Sequence, residues 1–191
     1  MSRLPPRRTV VVATLAAVLG IGCGLWFAGR NSDHGPGHGP AAPAATRAAA
    51  TAAQPGDRLP SIVLPDLQGR ELALASFQGR PLLINVWASW CGPCVEEMPA
   101  LAAFAASQGE QGVQVLGLAL DTPEAVQAFL AQVPVGYPIV FDTPGPADAS
   151  VLLGNTQGLL PYSVLVDARG RIVKQKLGPF ERGEIEAWAQ P

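Results

Sequence analysis

The chain has 191 residues, a formal net charge of −2, 48% apolar residues and three cysteines. This length allows one domain of ordinary size with additional segments, and the nearly balanced charge gives no indication of nucleic-acid binding. Since only two of the three cysteines lie close together, the composition does not indicate a disulfide-rich scaffold.

The chain begins with a basic segment that leads into an apolar one. Residues 10–28 form an uncharged apolar run of nineteen residues, which at about 1.5 Å per residue nearly spans a hydrocarbon core of about 30 Å. Three arginines precede this run and only Arg30 follows it closely, so the positive-inside rule predicts a cytoplasmic N-terminus and an exported remainder. We therefore interpret residues 1–29 as a membrane anchor.

The two alternatives to an uncleaved anchor are a cleaved secretory signal and a lipoprotein signal. A secretory signal is cut after small residues, but bulky Trp26 stands at the third position before a cut after Ala28. A lipoprotein signal needs Leu three residues before the modified cysteine, whereas Gly20 holds that position before Cys23. We prefer the anchor to both alternatives, with Cys23 as a small residue of the membrane helix.

The next segment, residues 30–55, is rich in Ala, Pro and Gly and has no apolar periodicity. It cannot bury a core, so we predict a flexible linker. A tetrahedral zinc site needs four ligands. Cys91 and Cys94 could find further ligands only in Cys23 and the two linker histidines, all far upstream, so no metal site is predicted.

The remaining residues, 56–191, are predicted to form one α/β domain, because apolar runs of strand length alternate with helical periodicity. The predicted strands are 62–64, 71–74, 82–88, 113–120, 139–141, 163–166 and 171–174, and the predicted helices are 91–107, 123–133, 147–153 and 181–189. Thr122 suits the N-cap of the second helix, with Pro123 at its first position. Pro99 is expected to kink the first helix.

The sequence Trp90-Cys91-Gly92-Pro93-Cys94 stands between a predicted strand and a predicted helix. Its cysteines can alternate between a disulfide and a dithiol with little backbone movement. At the start of a helix, the free amide groups and the dipole stabilise the Cys91 thiolate, the form that attacks disulfides. Cys94, one turn further, is expected to be the more buried, resolving thiol. A CxxC in this position is typical of redox proteins, and a purely structural disulfide is the alternative.

Residues 83–99, LINVWASWCGPCVEEMP, resemble the active-site segment of the thioredoxin superfamily. More narrowly, they resemble the membrane-tethered TlpA/ResA-like thiol–disulfide oxidoreductases of bacteria, through Asn85 and the tail Glu97-Met98-Pro99. The resemblance extends over about residues 56–188. It implies a thioredoxin-like three-layer sandwich with a mixed central sheet, an N-terminal β-hairpin and a central insert at about residues 120–141.

The resemblance also implies roles for residues outside the CxxC motif. Leu160-Pro161 matches a cis peptide bond that the family places beside the two sulfurs, although Tyr162-Ser163 follows where the family usually has a Thr. Cytosolic thioredoxins carry a proton-shuttling Asp where this chain has Asn85, which cannot titrate. Glu97 or Asp121 could handle the proton instead; the alternative for each is a solvated side chain or a helix cap.

What the resemblance implies is an exported thiol–disulfide oxidoreductase, held by a single span in the inner (cytoplasmic) membrane with its domain on the periplasmic side. It needs no cofactor other than the redox-active pair Cys91 and Cys94, supported by Trp90, Gly92 and Pro93. Gly92-Pro93 matches reducing thioredoxins of about −270 mV. We therefore expect it to reduce disulfide-containing exported proteins, for example in cytochrome c maturation, and to be recharged by a membrane electron donor.

Three other functions are alternatives to this one. A disulfide-forming oxidase or isomerase would use the same motif in the other direction. A non-catalytic redox-sensing binding module would keep the fold without turnover. A peroxiredoxin would need the pattern Pro-x-x-x-Thr/Ser-x-x-Cys, which is absent before Cys91.

Overall fold

The computed structural model describes residues 51–190. The predicted anchor, most of the predicted linker and Cys23 lie outside the described residues. Among residues 51–190, no helix combines the length and the apolar composition that crossing a membrane requires.

The described chain contains every strand and helix that was predicted, with ends that differ by at most three residues. The strands are β1 Val63–Pro65, β2 Glu71–Ala73, β3 Leu82–Trp87, β4 Gln114–Leu120, β5 Ile139–Asp142, β6 Tyr162–Val166 and β7 Ile172–Leu177. The helices are α1 Gly92–Ser107, α2 Pro123–Leu130, α3 Ala149–Leu152 and α4 Glu184–Trp188, and a 3₁₀ helix spans Leu74–Phe77.

Local capping explains where two of the helices begin. The Thr122 hydroxyl accepts a backbone N–H of α2 at 3.2 Å, and Pro123 lies in the first turn, as predicted. α4 begins three residues later than predicted, because Gly183 has φ = +76°, a left-handed conformation that cannot continue a right-handed helix. α1 runs through Pro99 as one helix, and the predicted kink there stays a prediction.

Five of the described strands form one mixed sheet in the order β5-β4-β3-β6-β7. β3, β4 and β5 are parallel, whereas β6 runs antiparallel to β3 and pairs with β7 as a hairpin. β1 and β2 form a separate antiparallel hairpin. The predicted mixed sheet and N-terminal hairpin are therefore confirmed, and the predicted insert contributes α2 and the outer strand β5.

The side chains of β3 alternate between two apolar clusters, one on each face of the sheet. Ile84 and Val86 belong to the cluster shared with the hairpin and α3. Leu83 and Trp87 belong to the cluster shared with α1, α2 and α4. All six residues of β3 are buried, so both faces of the central strand are covered.

The packed part of the chain begins before the predicted boundary at residue 56. Ala53 is buried and donates its N–H to the carbonyl of Leu152 at 3.0 Å. The side-chain amide of Gln175 donates to the carbonyl of Ala53 at 2.8 Å. We therefore correct the boundary to residue 53 or earlier, because long-range backbone hydrogen bonds order residues whose composition predicts a linker.

The topology brings three separate loops to one end of the sheet. The parallel strands β3 and β4 end there, and the antiparallel strand β6 begins there. Cys91 follows β3, Asp121 follows β4 and Pro161 precedes β6. Residues up to 70 positions apart in the chain therefore meet at this end.

Candidate active site

Cys91 and Cys94 form a disulfide across the first turn of α1, with their Cα atoms 5.3 Å apart. Cys91 is the N-cap residue of α1 and has extended backbone angles, as predicted. Its side chain is 6% exposed, whereas that of Cys94 is 0% exposed. An incoming thiol or disulfide can therefore reach the Cys91 sulfur more readily than the Cys94 sulfur.

The start of α1 provides a hydrogen-bond donor and the positive end of the helix dipole, both of which stabilise a thiolate at Cys91. An N-cap side chain accepts hydrogen bonds from the second or third amide of its helix. Pro93 occupies the second position and has no N–H, so the N–H of Cys94 is the donor available to the Cys91 sulfur when the disulfide opens. This amide and the positive end of the helix dipole stabilise negative charge on Cys91.

The loop before β6 lies against the disulfide. The Leu160–Pro161 peptide bond is cis, as the resemblance implied, and Pro161 is buried. Leu160 packs against the apolar cluster that contains both cysteines. Trp90, the residue directly before Cys91, is 67% exposed. It leaves apolar surface beside the disulfide for a partner protein to cover.

Glu97 lies one turn beyond Cys94 on α1 and is only 5% exposed. Its Oε1 accepts the Nδ2–H of Asn85 at 2.8 Å, and its Oε2 accepts the backbone N–H of Phe180 at 2.9 Å. Burial raises the pKa of this carboxyl above its ordinary value, although both hydrogen bonds and the charge of Lys176 act against that rise. Glu97 is thus a buried acid, and the alternative of a solvated side chain is wrong.

Asn85 holds Glu97 in place from the neighbouring strand β3. Its side chain is 0% exposed, and its Nδ2 group also donates to the hydroxyl of Ser163 at 3.2 Å. Ser163 lies directly opposite Asn85 in the β3–β6 register. Sequence reasoning missed Ser163 and the N–H of Phe180. A polar residue inside each of two apolar strands was the available signal for the first, and no sequence signal indicated the second.

One ion pair, formed by partly exposed side chains, acts on the carboxyl of Glu97. Lys176 and Glu184 form a salt bridge of 2.9 Å, with side chains 22% and 30% exposed. The Lys176 ammonium lies 5.6 Å from the centre of the Phe180 ring. The positive charge favours the ionised form of Glu97 and the negative charge disfavours it, so the two effects oppose each other at the carboxyl.

Asp121 supports the loop that carries Trp90 and Cys91. Its Oδ2 accepts the backbone N–H of Ser89 at 3.1 Å and also the Ser89 hydroxyl. Its Oδ1 accepts the N–H of Thr122 at 2.8 Å. These contacts connect the end of β4 to the approach to Cys91, and a role of Asp121 in proton transfer stays a prediction. Among residues 51–190, no cluster of three or more His, Cys, Asp or Glu side chains could hold a metal ion.

Residues 54–189 match the redoxin family. The chain is 30% identical over 139 residues to the thiol-disulfide oxidoreductase ResA of Bacillus cereus, a match that covers 72% of this chain and 78% of that protein. It is 32% identical over 137 residues to ResA of Geobacillus thermodenitrificans, covering 71% and 76% of the two chains. The fold matches a thioredoxin-related protein from Neisseria meningitidis serogroup B with a TM-score of 0.58 and 31% identity, over 65% of this chain and 93% of that chain. With a CxxC disulfide at the start of a helix and these relatives, the chain belongs to the redoxin family and is a thiol–disulfide oxidoreductase with a thioredoxin-like fold.

Proposed function

We propose that this protein reduces disulfides in partner proteins outside the cytoplasm, with Cys91 as the attacking thiol and Cys94 as the resolving thiol. The observation that carries this proposal is the asymmetry of the pair. Cys91 lies at the helix start, whereas Cys94 is fully buried one turn away from the buried carboxyl of Glu97. A purely structural disulfide does not need an acid beside its inner sulfur.

The reaction is a two-step thiol–disulfide exchange. The Cys91 thiolate attacks one sulfur of the partner disulfide, so a mixed disulfide forms and one partner thiolate leaves. The Cys94 thiolate then attacks the Cys91 sulfur, which releases the second partner thiolate and closes the Cys91–Cys94 disulfide. Two electrons pass from the protein to the partner, and the two partner sulfurs take up two protons.

Glu97 is the group best placed to handle the proton of Cys94. A buried thiol must lose its proton before it attacks, and burial itself opposes that loss. Asn85 cannot accept a proton, whereas Glu97 has a pKa raised toward the working pH, as an efficient general base requires. The hydrogen bonds from Asn85 and Phe180 keep its carboxylate in a defined orientation.

The reducing direction is supported by the surroundings of Cys91. The first turn of α1, Gly92 to Val95, contains no basic residue that would stabilise the Cys91 thiolate further. The helix dipole and one amide are therefore the stabilisers of the thiolate that the site offers, which favours a potential nearer to thioredoxin at about −270 mV than to the strong oxidants at about −120 mV. A disulfide-forming oxidase or isomerase and a redox-sensing binding module are the alternatives.

We further propose that residues 10–28 hold the protein in the inner membrane with its domain on the extracytoplasmic side. In an oxidising compartment a reductant must be reduced again, so we propose a membrane electron donor as a second partner. The names of the ResA relatives support thiol–disulfide oxidoreductase chemistry. Cytochrome c maturation is the process that the resemblance favours.

The test uses the three cysteines of the chain as matched variants. Cys91→Ser should lower the rate of insulin reduction by dithiothreitol to that of the uncatalysed reaction, whereas Cys94→Ser should accumulate a mixed disulfide with its partner. Cys23→Ser removes a thiol outside the motif and should leave the rate unchanged. Full activity of Cys91→Ser, or no mixed disulfide with Cys94→Ser, would contradict the assigned roles. Partners trapped by Cys94→Ser identify the substrates.

A further inference from the structure

Three buried polar atoms close to Glu97 have no hydrogen-bond partner among the described residues. They are the Oδ1 of Asn85, the Nε1 of Trp87 and the hydroxyl of Tyr137. The side chains of Asn85 and Trp87 are 0% exposed, and Tyr137 is 7% exposed. Buried polar groups are almost always hydrogen-bonded, so three such atoms in one region indicate a partner that they share.

The three side chains lie around Gly117 of β4. Asn85 and Trp87 point to the same face of β3, and Gly117 on β4 lies directly opposite Asn85 in the register. A Cβ atom on Gly117 would overlap the Cδ1 of Ile139, and it would lie 3.1 Å from the Nε1 of Trp87 and 3.3 Å from a ring carbon of Tyr137. Neighbouring strands of a sheet lie about 4.7–4.9 Å apart. The side chains of Asn85, Trp87 and Tyr137 therefore lie around Gly117 on one face of the sheet, beside the side chain of Ile139.

The chemistry of the three groups is that of a binding site for one water molecule. The indole N–H can only donate, the phenol O–H can donate, and the amide oxygen of Asn85 can only accept. A water molecule that accepts from Trp87 and Tyr137 and donates to Asn85 satisfies all three groups. Three hydrogen bonds are typical of a buried water. Tyr137 also lines a surface cavity of about 470 Å³, so solvent lies one side chain away.

We propose that Asn85, Trp87 and Tyr137 bind an internal water, and that Tyr137 is thereby a positioning residue for Glu97. The opposite end of the Asn85 amide already donates to the Glu97 carboxylate at 2.8 Å. A hydrogen bond to the amide oxygen polarises the amide and strengthens its donation. The water therefore connects Tyr137 to Glu97 through Asn85 and stabilises the ionised carboxylate. This positioning role rests on the proposed function of Glu97, whereas the water site does not.

The two charged side chains near Glu97 have opposite effects on its carboxyl, so we assign the positioning role to Tyr137. Lys176 and Glu184 face the carboxyl from the outer side with opposite effects. Tyr137 faces it from the insert side, and burial together with the negative charge of Glu97 raises the pKa of its phenol far above the ordinary value. The hydroxyl therefore stays protonated at all working pH values and remains available as a donor.

The test compares Tyr137→Phe with Tyr162→Phe in the full chain. Tyr162 is the matched control, because its hydroxyl donates to the carbonyl of Leu153 at 3.3 Å and its ring belongs to the cluster on the other face of the sheet. With ¹⁵N-labelled tryptophan, we expect a cross-peak between water and the Trp87 indole N–H in the wild type and in Tyr162→Phe. It should be lost or weakened in Tyr137→Phe, whose melting temperature should fall because a paired hydroxyl is removed.

The positioning role has its own readout, the pH profile of mixed-disulfide resolution. Tyr137→Phe should shift the rising part of this profile to higher pH, and Tyr162→Phe should not. If the wild type shows no water cross-peak and Tyr137→Phe melts at the same or a higher temperature, the water site is refuted. If the cross-peak is present but the profile of Tyr137→Phe is unchanged, the positioning role is refuted. If Glu97→Gln also leaves the profile unchanged, the proposed role of Glu97 has failed while the water site stands.

Discussion

Replacement of Glu97 by Gln removes the proton acceptor proposed for Cys94 with little change of shape. A positioned general base contributes about 10²- to 10⁴-fold to a rate, which corresponds to about 2.7–5.4 kcal/mol at about 1.36 kcal/mol per factor of ten. Because Glu97 is 5% exposed and lies one turn from Cys94, water cannot easily take its place. We therefore expect Glu97→Gln to slow resolution of the mixed disulfide by this factor and to leave the attack of Cys91 nearly unchanged.

Stopped-flow release of a reduced partner from the mixed disulfide measures this step directly. In the wild type, the rate should fall as the pH drops through the pKa of Glu97, since only the carboxylate accepts a proton, and burial places that pKa above the ordinary value. Glu97→Gln should lose this dependence. Glu96→Gln is the matched control, because Glu96 is the exposed neighbour on the same helix and carries the same charge. Resolution by Glu97→Gln within a factor of three of the wild-type rate across this range would refute the reasoning.

The same carboxyl makes the stability of the fold depend on pH. Burial raises the pKa of Glu97 in the folded state, so its stabilising contribution is complete below the unfolded pKa and is lost as the pH rises through the folded pKa. Each unit of that rise is worth about 1.36 kcal/mol. Gln does not titrate, so urea unfolding should show the stability of Glu97→Gln, relative to the wild type, increasing with pH. A difference that is independent of pH would mean that Glu97 ionises as easily in the folded state as in the unfolded chain.

The loop, the core, the disulfide and the anchor each provide one further test. Asp121→Ala removes the acceptor of the Ser89 N–H and should lower the free energy of unfolding by about 1–3 kcal/mol in urea, with partial rescue by Asp121→Asn. Leu101→Ala, at a fully buried position of α1, should cost about 2–5 kcal/mol in the same assay. Equilibration with glutathione should give a potential nearer to about −270 mV than to about −120 mV, and a value near the latter would favour the oxidase. Alkaline carbonate should fail to extract the protein from membranes, whereas a soluble mature form that begins after residue 28 would contradict the anchor.

Local sequence alone was sufficient to predict the helices and strands and to place Cys91 at the start of a helix. The roles predicted for Cys91, Pro93 and Cys94 depend on helix capping and the helix dipole, which act within one helical turn. The N-cap at Thr122 depends on equally local rules, because its hydroxyl accepts a hydrogen bond from the N–H three residues later. The apolar run of β3, in which only Asn85 is polar, predicted a strand. These features need only neighbouring residues, so a reader of the sequence can find them.

The surroundings of Glu97 were decided by tertiary structure. Glu96 and Glu97 are chemically equivalent neighbours in the sequence, and only the docking of α1 on the sheet buries one and exposes the other. The partners of the buried carboxyl are 12 and 83 positions away along the chain, and Ser163 is 78 positions from Asn85. The order of the mixed sheet brings these groups together, because β6 returns antiparallel beside β3 and α4 packs back toward α1. The sequence thus predicted the helix that carries the two cysteines and assigned the attacking role to Cys91 as a hypothesis. The burial of Glu97, its orientation and its raised pKa follow from contacts between distant parts of the chain, which a local pattern does not contain.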